Sequence, residues 1–358
     1  MTLTEVSYFS RKLAPFGILL FVVMLILFYS FKLIFLFGEL NTPKISTLSP
    51  IFKELKPIEF VEASSSAGYS YIMDTVEGEP VTATDAAKVF LIPETKFRFG
   101  YKEKISLIAK NLGFEGASLE YVLSPKKTEG IFQDEKRKLQ VDITNFNFKY
   151  EQDIINSPEL FETNGTADKE SAENKAVDFL KSFDRYPDDL AKGRMNVIFM
   201  QYDKESSKTA ILEDNKGANM VEVDFYRADI DQYPIVSPKY YNSQNYVTMV
   251  QIGDQGYKVV GAQMHFFEKS EGQVGIYPII DGKTAFDMLA TGSGYIVSGK
   301  PTESQAQIAI KRMFMGYYDP DVYQQYLQPV YVFLGDNNFV AYVSAVTDEY
   351  LIDHSRLK

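Results

Sequence analysis

The chain has 358 residues, with 48 acidic against 37 basic side chains and a formal net charge of −11. So acidic a surface argues against nucleic acid and other polyanions as partners, because phosphate recognition needs a basic patch. Cysteine is absent, which excludes disulfides, thiolate metal sites and cysteine nucleophiles.

The first element in chain order is the apolar run Leu13–Phe37, LAPFGILLFVVMLILFYSFKLIFLF. A bilayer core needs roughly 20 apolar residues in a helix. Leu13–Phe31 is interrupted only by Ser30, whose hydroxyl can bond back to a helix carbonyl. Lys32 can carry its ammonium to the interface. A buried core helix would show a polar stripe. A cleaved signal would have a shorter apolar core ending in small residues. The run has neither feature, and it reads as a single transmembrane anchor over residues 13–37. Arg11 and Lys12 flank it on the amino-terminal side. The positive-inside rule then leaves residues 1–12 as a cytoplasmic tail and exports the rest. The expected protein is single-pass in the plasma membrane, with its C-terminal domain extracytoplasmic and the membrane itself as one partner. A cysteine-free exported domain suits a bacterium.

Residues 38–66 mix Pro43, Pro50 and Pro57 with serine and threonine, the composition of an extended stalk. Beyond them a theme recurs. Ile105, Ile108, Ala109 and Leu112 stand at helical spacing before Gly113, as do Ala176, Phe179, Leu180 and Phe183, and then Ala285, Met288 and Leu289 before Gly292. Each helix is followed by runs of strand character. These include Ser118–Leu123, Met220–Tyr226, Tyr246–Ile252, Tyr257–Glu268, Gln307–Tyr317, Pro329–Leu334 and Phe339–Val346. Helices alternating with antiparallel meanders predict an α+β fold of tandem helix-plus-antiparallel-meander units after a single N-terminal transmembrane helix. The expected boundaries are 67–160, 161–278 and 279–358.

No motif carries chemistry. His265 and His354 are the two histidines; His265 reads as a strand residue and His354 as part of a polar tail. Asp229 with Asp231, and Asp319 with Asp321, are short carboxylate pairs that do not continue into an EF-hand loop, and they read as turn residues. No nucleophile elbow, P-loop or serine–lysine motif is present. Gly292-Ser293-Gly294 follows a helix rather than opening one, which is a helix stop and not an anion site. No catalytic residue, metal ligand or cofactor is expected.

Tyrosine is the remaining signal. Tyr240, Tyr241 and Tyr246 cluster in SPKYYNSQNY, and Tyr317, Tyr318, Tyr323 and Tyr326 in GYYDPDVYQQY. Both segments contain proline and polar residues and read as loops. Tyrosine offers a flat apolar face with a polar tip, which suits protein and sugar surfaces. These seven are the candidate binding-surface aromatics, with covering of sheet edges as the plain alternative.

The stretch Leu327–Val346, LQPVYVFLGDNNFVAYVSAV, resembles the closing hairpin of YycI-like and PepSY-like units, and Lys283–Leu289, KTAFDML, resembles the short helix that opens them. With the tail, the span and the cysteine-free domain, the chain resembles the YycI/YycH regulators, chiefly over residues 280–346. It lacks the tryptophan that this family often carries near Val330–Phe333. The resemblance implies a membrane or envelope protein partner, a cell-wall-sensing histidine kinase. The expected function is that of a non-enzymatic, membrane-anchored regulatory or scaffolding protein. The alternatives are a module binding cell-wall glycan or peptide and, behind that, an envelope hydrolase.

Overall fold

The computed structural model describes residues 19–32, 47–61, 63–96, 99–114, 119–124, 127–162, 165–253, 256–302 and 307–352. The chain divides into two compact units, Met1–Thr47 and Leu48–Lys358. In the first, helix α1 covers residues 19–32, exposed at every position. Fourteen residues at 1.5 Å each reach about 21 Å, against about 30 Å of hydrocarbon. No helix among the described residues is long and apolar enough to cross a membrane. The single-span anchor, and the plasma-membrane localisation read from it, are corrected accordingly. The apolar run in the sequence covers residues 13–37, and only 19–32 of it is described as helix. Lys32 is the last residue of α1 and is exposed; Arg11 and Lys12 lie outside the described residues.

The second unit begins with β1 (Ser64–Ser65), β2 (Ser70–Met73) and β3 (Ala86–Leu91). Helix α2 (Tyr101–Asn111) leads into β4 (Leu119–Ser124), β5 (Lys127–Gln133), β6 (Arg137–Asp142) and β7 (Phe148–Gln152). Next come α3 (Lys169–Ser182) and the single turn α4 (Asp188–Ala191), then β8 (Arg194–Asp203), β9 (Lys208–Leu212), β10 (Met220–Tyr226) and β11 (Ile235–Val236). They are followed by β12 (Tyr246–Gln251), β13 (Tyr257–Met264) and β14 (Val274–Pro278). Helix α5 (Gly282–Thr291) precedes β15 (Tyr295–Ser298), β16 (Gln307–Tyr318), β17 (Tyr326–Leu327), β18 (Pro329–Gly335) and β19 (Val340–Ser344).

Alternation of side chains sets the layers. In β10, Val221, Val223 and Phe225 are buried in the core that also holds Ile105 and Ile108 of α2 and Ala172, Ala176 and Leu180 of α3. Glu222, Asp224 and Tyr226 turn to the opposite face, as a period of two requires. Nine antiparallel strands form this sheet, in the order β4-β5-β6-β7-β13-β12-β10-β8-β9. A second sheet runs β1-β15-β19-β18-β16-β11, with β2 also on β16; α5 packs Ala285 and Leu289 against it. The strands β14-β3-β17 make a third, small sheet.

The predicted α+β series of units gives way to a mostly β fold of several sheets. The reason lies in the pairing. β7 and β13 are neighbours, so the meanders after α2 and α3 merge into one sheet, and β16 takes β2 from far upstream as a parallel partner. Of the expected stalk 38–66, residues 48–61 and 63–66 are part of the packed structure, and residues 38–46 and 62 lie outside the described residues. Leu55 is fully buried, its N–H donates to the Tyr350 carbonyl at 2.7 Å, and its carbonyl accepts from Ile352 at 2.8 Å.

Helix ends follow local chemistry. Asp168 caps α3 by accepting from the Ser171 N–H at 2.8 Å, satisfying one of the orphan donors of the first turn. Gly292 closes α5 at φ 93, a conformation that a side chain would strain. Asp168→Ala is expected to cost about 1 kcal/mol, read as a lower urea midpoint with an unchanged slope.

Candidate functional site

A groove of about 950 Å³ opens between the start of β8 and the exposed side of β16. Arg194 and Met195 of β8 and Tyr226 of β10 form one wall, and Arg312, Phe314 and Met315 of β16 form the other. Tyr233 and the loop residues Tyr240 and Tyr241 complete it.

Pairing positions the first wall. Arg194 and Tyr226 are directly opposed on β8 and β10. Gly193 allows this, since a Cβ there would collide with the Tyr226 carbonyl oxygen. The Tyr226 hydroxyl donates to the Tyr241 carbonyl at 3.2 Å and stands 3.5 Å from Asp224 Oδ2. Burial raises the Tyr226 pKa, and the charge of Asp224 adds to it. The loop after β11 is fastened from below. The Tyr342 hydroxyl donates to the Ser237 carbonyl at 2.7 Å, and Ser237 Oγ donates to the Asn242 carbonyl at 2.8 Å. Tyr240 sits at φ 55, a left-handed conformation that costs a residue other than glycine of order 1 kcal/mol.

The rings then converge. Tyr240 meets Tyr241 edge to face at 4.9 Å and lies 6.5 Å from Phe314, within the range of favourable aromatic pairs. The Arg312 guanidinium stands 5.1 Å from the Phe314 ring centre. Burial raises the Tyr240 pKa, while the charges of Arg312 and Arg194 pull it down. Both guanidinium groups therefore act on the Tyr240 hydroxyl. Neither forms an ion pair among the described residues. Asp229 is the one carboxylate among the described lining residues. Two cations facing a single carboxylate, in a chain of net charge −11, make an anion-accepting, aromatic-walled groove.

Of the seven tyrosines singled out in the sequence, the groove brings together Tyr240 and Tyr241. Tyr317 and Tyr318 belong to β16, not to a loop, and are 1% and 2% exposed; their period-two neighbours pack on both faces of the sheet. Tyr326 is buried in β17. Tyr323 is exposed but stands elsewhere, its hydroxyl donating to the Ile92 carbonyl at 3.0 Å beside a separate hollow of about 500 Å³. Tyr246 lies on the polar face of β12, opposite Asp224; burial pushes its pKa up to about 12, with Glu222, Glu151 and Asp224 contributing. Sequence reasoning missed Arg194, Tyr226, Tyr233, Arg312 and Phe314. The available signal was the i, i+2 spacing of Arg312 and Phe314, which places both on one face of an apolar strand.

The carboxylate pairs have other duties. Asp319 is buried against Arg227 at 2.8 Å, and Asp231 pairs with Lys88 at 3.0 Å. His265 lies just after β13 rather than within it. Burial lowers its pKa despite the nearby charges of Asp319, Asp321 and Asp142, which favours the neutral ring. His354 lies outside the described residues. No cluster of three or more His, Asp or Glu able to hold a metal occurs among the described residues.

No family model matches the chain, and no curated protein does. Among solved structures, an uncharacterized protein from Eubacterium rectale ATCC 33656 is similar over 81% of this chain and 92% of its own, at 10% identity and a TM-score of 0.33. Similarity that low carries neither fold nor function across.

Proposed function

We propose that this is a non-enzymatic regulatory or scaffolding protein that acts by protein–protein contact through the groove between β8 and β16. The observation that carries the reading is the pair Arg194 and Arg312, without carboxylate partners among the described residues, set among Tyr226, Tyr233, Tyr240, Tyr241 and Phe314. Tyrosine and arginine are the side chains that most often dominate interface energetics, particularly when grouped in one pocket. The resemblance of residues 280–346 to YycI-like and PepSY-like units adds a histidine kinase as the partner class. A glycan or peptide ligand is the second reading, because the exposed Tyr241 ring, 45% accessible, could stack on a sugar.

The test is in-cell crosslinking of the tagged full-length chain, with Tyr241→Ala and Arg312→Glu as comparisons. One stoichiometric protein partner is expected with the native chain, reduced about tenfold or more in either variant. Recovery that does not change in the variants would sink the groove as the contact site. Retention on carbohydrate alone would replace this reading by the second.

A further inference from the structure

Among the described residues, the edge of the nine-stranded sheet beside the groove is open. β9 pairs with β8 only from Phe199 to Asp203, so the first half of β8, Arg194 to Ile198, has β10 on one side and, among the described residues, no strand on the other. Which backbone groups are exposed follows from the ladder. The Phe225 N–H donates to the Asn245 carbonyl at 2.8 Å, so Phe225 turns its backbone toward β12. Antiparallel pairing alternates, and Asp224 and Tyr226 therefore turn theirs toward β8, onto Asn196 and Arg194. Met195 and Val197 are left with N–H and C=O groups directed at the open edge. Neither has a backbone partner among the described residues. Met195 is 37% exposed.

Unpaired edge groups are a template for another strand, and natural edges are commonly blunted by charge, proline or a bulge. Positions 195–198 read Met-Asn-Val-Ile and carry none of these. The one charge at the edge is Arg194, which shares its face with Tyr226 and the groove. A strand laid along β8 would place alternate side chains over that face.

We propose that an extended acidic segment of a partner protein adds to β8 as an edge strand, pairing with the backbone of Met195 and Val197 and setting carboxylates on Arg194. This rests on reading the groove as a protein-binding site and names the chemistry of what enters it. Charge favours an acidic segment over a second copy of this chain. The 194–198 edge offers no carboxylate to meet Arg194, so a second copy pairing edge to edge would set Arg194 near Arg194.

The probe is an acetylated octapeptide alternating valine and glutamate, compared with its valine–lysine counterpart, titrated by fluorescence polarisation against the full-length chain. The glutamate peptide is expected to bind better, and Arg194→Glu to weaken it about fivefold while improving the lysine peptide. Arg194 is exposed, so this variant keeps the fold. Val197→Pro, which removes an edge-facing donor at a tolerated kind of position, should weaken binding about tenfold. Hydrogen exchange should slow at the Met195 and Val197 amides on binding and stay unchanged at Phe199, already bonded to β9. Equal binding of the two peptides to the native chain and to Arg194→Glu would overturn the proposal, as would unslowed exchange at the two amides. A dimer seen by sedimentation that protects the same amides without peptide would overturn it in favour of a second copy. If strand addition fails while Tyr241→Ala still loses its crosslinked partner, the groove reading survives without it.

Discussion

Arg227→Ala is expected to lower the unfolding free energy by about 3–5 kcal/mol, the usual cost of breaking a buried ion pair from one side. The Arg227 side chain, 2% accessible, follows β10 and reaches across the second unit. Its Nη1 donates to Asp319 Oδ1 at 2.8 Å and to the Phe267 carbonyl at 3.1 Å, and its Nη2 to Asp189 Oδ2 at 2.9 Å. The guanidinium also lies 4.4 Å from the Phe266 ring centre. Asp189 belongs to α4 beside the nine-stranded sheet, whereas Asp319 follows β16 of the other sheet, so one side chain ties the two together. Truncation would leave Asp319, itself buried, as an unpaired carboxylate. Asp189 loses less, because Lys269 Nζ still reaches both its oxygens at 3.1 Å. Asp189→Asn should therefore cost clearly less than Arg227→Ala, and a double variant of Arg227→Met with Asp319→Leu should recover much of the loss. Chemical denaturation of the four proteins in low and high salt is the measurement. The ordering should survive high salt, since buried pairs are poorly screened. A cost for Arg227→Ala below about 1 kcal/mol would show the cluster to be incidental.

The distinction between these two aspartates could not be read from the sequence. Asp319 and Asp321 look like any acidic turn, and only the fold, which brings the end of β16 to the end of β10, gives Asp319 an arginine 92 residues away. Local elements were far more legible. The alternating run Met220–Tyr226 coincides with β10, and the stop at Gly292 is where α5 ends. Period and cap chemistry are properties of neighbouring residues. What failed was inference beyond neighbours. The repeating helices suggest separate units, yet the β7–β13 pairing that fuses two of the meanders is a long-range choice no local pattern encodes. Asp319-Pro320 directly after Tyr317 and Tyr318 suggests a loop, but the strand runs up to the aspartate. The candidate site was half legible. Tyr240 and Tyr241 announced themselves by clustering, whereas Arg194 and Arg312, 118 positions apart in number and on different sheets, meet only in the fold.

Asp224→Asn is expected to remove a pH dependence of stability that the native chain shows between about pH 4 and pH 7. Asp224 is 2% exposed. Burial pushes its pKa up to about 7, the charge of Glu222 adds to this, and the Tyr226 hydroxyl opposes it. Glu222, on the same face of β10, is raised as well by burial, with its bond from Thr248 acting against this. The folded state thus holds a proton on Asp224 in a range where the unfolded chain, with an ordinary aspartate near 3.9, has released it. Stability contributed by that proton is complete below about pH 4 and is lost as pH rises toward 7, by up to about 1.4 kcal/mol per pH unit. Above that window the folded protein must keep an ionised carboxylate in a buried setting. The asparagine amide has nothing to release, so the variant should be the more stable protein at pH 8, by about 2–4 kcal/mol, and should approach the native value near pH 4. Glu222→Gln, which removes the neighbouring charge, should move the native window to lower pH without abolishing it. Urea denaturation from pH 4 to 8.5 tests all three, and parallel curves for the native chain and Asp224→Asn would refute the assignment. The consequence reaches the groove, because Tyr226 bridges Asp224 and the Tyr241 carbonyl. A carboxylate that ionises there brings negative charge up beside Tyr226, on the face that carries Arg194, so binding of an acidic segment should weaken as pH rises through 7, and Asp224→Asn should flatten that fall too.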